Sequence, residues 1–96
     1  KQDLMISQLF EAQRLIRSKN YSDALTKLDQ LEKDHRHYSI IPELKGIAYY
    51  LSKEPEKSLS QFRRAFIVNP KNVDAYRMKV YLEKELNVAP NESAKQ

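Results

Sequence analysis

The chain has 96 residues, 31% charged and 41% hydrophobic, and its 17 Lys and Arg against 13 Asp and Glu leave a net charge of +4. That length allows one domain with a modest core, and one Gly with four Pro gives little punctuation for a β-meander. With no Cys there are no disulfides, thiolate metal sites or cysteine nucleophiles, and no apolar run approaches the roughly 18 residues of a membrane span.

Apolar spacing predicts five helices. The first covers roughly 3–18, with Leu4, Met5, Leu9, Phe10, Ala12, Leu15 and Ile16. Ser18-Lys19-Asn20 is a polar break. The second covers roughly 22–35, with Ala24, Leu25, Leu28 and Leu31 on one stripe. Its Asp23 and Lys33 suit the two ends of the helix dipole. The third covers roughly 40–52, with Ser39 as the expected N-cap and Pro42 in the first turn, where a missing N–H costs nothing. The fourth opens at Glu54-Pro55, carries Leu59, Phe62, Ala65, Phe66 and Val68, and stops at Asn69-Pro70. Asn72 is the expected cap of a fifth helix over roughly 73–86, bearing Ala75, Tyr76, Met78, Val80, Leu82 and Leu86. Residues 87–96 have no apolar period and read as a flexible tail or linker.

A shift of 34 residues superimposes the special positions. Ala24 falls on Ser58 (58 − 24 = 34), Leu28 on Phe62, Leu31 on Ala65, Ala12 on Gly46 and Leu15 on Tyr49. Two helix pairs therefore share one period. The single glycine then has a reason. Where two helices of a hairpin cross closely, small residues must meet, so Gly46 is expected to face Ser58, and Ala12 to face Ala24. Tyr49, Phe62 and Phe66 are expected to fill the space between layers.

In these positions the chain resembles the tetratricopeptide repeat family. The second repeat, about 39–72, carries Gly46, Tyr49, Ser58, Phe62, Ala65 and Pro70 at the family's spacings. The first, about 5–38, matches through Ala12, Leu15, Tyr21, Ala24, Leu28 and Leu31, with Arg36 in place of the closing Pro. In the fifth helix Val80 and Glu83 depart from the family's Gly and Tyr, which suits a solvent-facing capping helix over 73–86. The resemblance implies an all-α, right-handed α-solenoid of two antiparallel helix pairs plus that cap, together a domain over 1–86.

No catalytic set converges, so no enzyme activity, cofactor or metal is expected. His35 and His37, two residues apart, point to different faces of a helix. There is no Gly-rich phosphate loop and no nucleophile elbow. Function is expected on a surface. The resemblance places the first helix of each pair on a concave groove, lined by Leu9, Gln13 and Ile16, then Glu43, Ile47 and Tyr50, then Arg77, Tyr81 and Lys84. With Arg77 as the lone cation at the places where relatives grip a carboxylate, and with Glu43 opposed, a chaperone-tail clamp does not fit. The groove is expected to take an apolar or amphipathic peptide or protein segment, as an adaptor or scaffold does. Two alternatives stand beside it. One is homo-oligomerisation, with the apolar face as the interface and Leu4, Met5 or Ile6 at the exposed start as further self-association contacts. The other is RNA or other nucleic-acid binding on a basic face of Arg14, Arg17, Lys19, Arg63 and Arg64. Because the chain starts at Lys1 rather than Met, it is expected to be part of a larger protein. The compartment is not specified, with the cytoplasm favoured.

Overall fold

The computed structural model describes residues 2–90, with side chains from Leu4 onward. It holds five helices and no strand: α1 Gln2–Arg17, α2 Tyr21–Asp34, α3 Ile40–Leu51, α4 Pro55–Val68 and α5 Val73–Leu86. Each bound lies within a residue or two of the expected one, because the end signals act locally. Pro55 opens α4 at its first position, where the orphan N–H is not needed. Asn72 caps α5, its side chain accepting from the Ala75 N–H at 3.0 Å. Ser39 does not cap α3. Its hydroxyl donates instead to the Ala65 carbonyl at 2.8 Å and accepts from Asn72 Nδ2 at 2.8 Å, so it ties three elements together.

The helices pack in chain order, α1 on α2, α2 on α3, α3 on α4, and α4 on α5, with a slight contact of α1 with α3. The core has two apolar clusters. One gathers Ala12, Leu15, Ile16, Ala24, Leu28, Ile41, Leu44 and Ala48 from α1–α3. The other gathers Leu59, Phe62, Ala65, Ala75 and Leu82 from α4 and α5. Ile47 packs against both.

Most of the repeat positions lie inside, with Ala12, Ala24, Leu28, Ser58 and Ala65 fully covered. Ser58 Oγ donates to the Gly46 carbonyl at 2.7 Å, which fixes the α3–α4 crossing. A methyl group on Gly46 would lie 2.8–2.9 Å from three ring carbons of Phe62, so the buried ring itself forbids a side chain there. Tyr49 differs from the expectation. It is half-buried near the end of α3, with the Lys57 ammonium 5.8 Å from its ring centre. Pro70 lies exposed in the turn after α4.

A backbone feature repeats with the same period. Among the described residues, Lys19, Lys53 and Asn87 have positive φ, at 68°, 68° and 56°. They stand 34 apart (53 − 19 = 34; 87 − 53 = 34). Each follows a helix and closes it in the same way. The N–H of Asn20, Glu54 and Val88 bonds back to the carbonyl of Leu15, Tyr49 and Glu83, and that of Lys19, Lys53 and Asn87 to Ile16, Tyr50 and Lys84. This is the six-to-one, five-to-two helix stop usually built on Gly. The architecture is thus repeat-like in its main chain as well as in its side chains.

Two expectations change at the C-terminal end. Glu83 does not face solvent. It is 5% exposed, with Lys79 Nζ at 3.1 Å and Arg63 at 3.2 Å. The segment expected to be a tail from 87 also begins as folded structure, because Asn87 and Val88 close α5 and the Ala89 carbonyl accepts from Arg63 at 3.0 Å. The rest of that expected tail, 91–96, lies outside the described residues. No described helix is long and apolar enough to cross a membrane.

Candidate functional site

The expected groove residues come from α1, α3 and α5, and packing divides them. Ile16 is 7% exposed and belongs to the core, one residue along from the buried Leu15. Leu9 and Ile47 are half-buried and pack on the apolar clusters. Gln13 is half-buried. Glu43 is half-buried too, its carboxylate accepting from Asn72 Nδ2 at 2.9 Å. That bond occupies part of its acceptor capacity within the fold. Tyr50, Arg77, Tyr81 and Lys84 remain exposed.

Two of these four meet. Tyr50 of α3 and Tyr81 of α5 pack edge to face, with ring centres 6.3 Å apart and planes at 74°. Their hydroxyls are 3.4 Å apart, at the outer limit of a hydrogen bond. They expose 38% and 44% of their surface. The Tyr81 phenol is held above its usual pKa, first by the Tyr50 hydroxyl and then by the negative charge of Glu85. The Tyr81 phenol is therefore neutral at pH 7, able to donate and accept, and both rings offer apolar area. An exposed aromatic pair of this kind suits recognition of a peptide with mixed apolar and polar character.

A second polar centre, not anticipated from the sequence, runs across the helices. Lys45 of α3 is 6% exposed, with Asp29 Oδ1 and Glu32 Oε1 of α2 each 2.5 Å from its ammonium. The other oxygen of Glu32 takes Arg64 of α4. Burial works against the Glu32 carboxylate, but the bonds from Lys45 and Arg64 outweigh it and hold its pKa below the ordinary value. The signal for this centre was Lys45 itself, a cation between Leu44 and Gly46 inside the apolar run of α3.

The cations offered for nucleic acid are largely committed elsewhere. Arg14 pairs with Glu11 at 2.5 Å, Arg63 with Glu83, and Arg64 with Glu32 and Gln61. His35 lies against Tyr38, with ring centres 5.7 Å apart and planes tilted by 40°. Compared with known proteins, the chain matches no family model, no curated protein and no solved structure.

Proposed function

We propose that the chain is a non-enzymatic binding module of tetratricopeptide type, two helix pairs of a right-handed α-solenoid with α5 beyond them, that recruits a protein or peptide segment in the groove between its first-type helices. The observation that carries this reading is the Tyr50–Tyr81 pair, two exposed aromatic residues from neighbouring repeat units brought edge to face. Arg77 and Lys84 flank Tyr81 in sequence on α5 and add exposed cationic donors to the same helix. The ligand that fits is an apolar or amphipathic segment with acceptors at its edge, such as backbone carbonyls or a carboxylate.

Selection of a random peptide display library on the immobilised chain tests this. The wild type is expected to enrich peptides with a shared apolar motif. A Tyr50→Ala/Tyr81→Ala variant of unchanged circular dichroism is expected to lose them. Equal retention by both proteins would overturn the groove. Retention that appears only with nucleic acid present and collapses with salt would replace it with the basic-face alternative.

A further inference from the structure

Single-electron oxidants act on few side-chain types, chiefly Cys, Trp and Tyr. This chain has no Cys, no Trp and six Tyr, so its tyrosines are where such oxidation comes to rest. Their settings differ. Tyr21 and Tyr49 are half-buried. Tyr38 lies against His35, and Tyr76 against Phe66 with ring centres 5.4 Å apart. Among the described residues, Tyr50 and Tyr81 are the tyrosines whose rings meet each other, and both are exposed.

The repeat geometry brings these two places together. One period earlier they are Ile16 (50 − 34 = 16) and Ile47 (81 − 34 = 47), which both pack in the apolar cluster of α1–α3. In the next interval the two aliphatic side chains, inert to such oxidants, give way to two phenols whose oxygens lie 3.4 Å apart. A phenol that loses one electron sheds its O–H proton to water. The unpaired electron is then shared by the oxygen and by the ring carbons beside and opposite the hydroxyl carbon. The opposite carbon bears Cβ, so the two Cε atoms are left to react. Close approach of the hydroxyls brings the Cε ends of the two rings together. Exposed rings turn about their side-chain bonds in picoseconds to nanoseconds, so the reactive carbons meet repeatedly.

We propose that Tyr50 and Tyr81 form a site of oxidative modification, where a peroxidase-type oxidant joins the rings Cε to Cε as dityrosine and so ties α3 to α5. One hydrogen peroxide takes two electrons and two protons from the pair and becomes two waters. The two ring radicals combine in a C–C bond. Each joined carbon then releases its proton and each oxygen regains one, so two C–H bonds are lost and both hydroxyls are restored. The bond spans 31 residues of sequence and reaches a helix otherwise held chiefly by α4. Both reacting rings belong to this chain, so the modification stands apart from any peptide in the groove.

The test treats the full chain, at micromolar concentration, with a heme peroxidase and hydrogen peroxide. A monomer lighter by two hydrogens, with the blue fluorescence of dityrosine, is expected, its fraction unchanged on dilution. Trypsin should release residues 46–53 joined to 80–84, and fragmentation should place the bond on Tyr50 rather than Tyr49. Tyr50→Phe and Tyr81→Phe each keep the ring and are expected to keep the circular dichroism. Each should lower the yield of linked monomer at least about tenfold, whereas Tyr76→Phe leaves it unchanged. The linked chain is expected to melt at least about 5 °C higher, because the bond removes loop entropy from the unfolded state. Linkage through other tyrosines, covalent dimers without linked monomer, or methionine oxidation alone would each overturn the assignment. An unchanged melting midpoint in the linked chain would overturn the tie between α3 and α5.

Discussion

At Gly46 a methyl group has nowhere to go, since Phe62 is 1% exposed and its ring already lies within 2.9 Å of the place a Cβ would take. Alanine would gain about 1 kcal/mol of helix propensity but cost about 1–3 kcal/mol in overpacking. Gly46→Ala is therefore expected to lose about 1 kcal/mol in urea denaturation. Phe62→Leu in the same background should recover part of that loss, so a double-mutant cycle reads the clash directly. The sequence placed a tight helix crossing here through its one glycine and Ser58. It did not single out Phe62 as the group that closes the gap, because a ring one turn along reaches back over the crossing only once the helix axes are set. Ile16 shows a similar limit. Adjacent to Leu15 on an amphipathic stripe, it reads equally well as groove or core, and the approach of α2 and α3 decides.

At the scale of elements, helix bounds were legible because Pro55, Asn72 and the polar breaks act within a turn of where they stand. The helix stops were not. They fall on Lys19, Lys53 and Asn87, none of them the Gly that usually marks such a stop. Sterics at Cβ disfavour the left-handed conformation by roughly 1–2 kcal/mol for such residues. Lys53→Gly removes that strain, and the added freedom of the unfolded chain offsets part of the gain. It should stabilise the domain by about 0.5–1 kcal/mol, raising the melting temperature with helix content unchanged. The tyrosine pair was legible as positions on two helices, whereas its edge-to-face contact depends on the tilt of α5 against α3.

For the molecule as a whole, Glu32 joins three helices through Lys45 and Arg64. Glu32→Gln is expected to cost about 1.5–3 kcal/mol, the range for hydrogen bonds to charged groups. It also sets a pH dependence. The carboxyl is held below its ordinary value in the folded chain, so the unfolded chain binds the proton more readily. The stabilisation is present above the ordinary Glu value of about 4.3 and fades as pH falls through the lower folded value. Urea midpoints measured between about pH 6 and pH 3 should fall in the wild type and fall less in Glu32→Gln. An equal slope in both proteins would remove Glu32 from the acid response.

The order in which the helices pack has a kinetic consequence. Every extensive contact joins elements consecutive in the chain, so no loop longer than a single hairpin must close before its contacts form. Low contact order of this kind accompanies folding in microseconds to milliseconds. With no cysteines, disulfide exchange adds no slow phase to that search. The chain can begin from whichever hairpin forms first and extend outward, each helix serving as the template for the next.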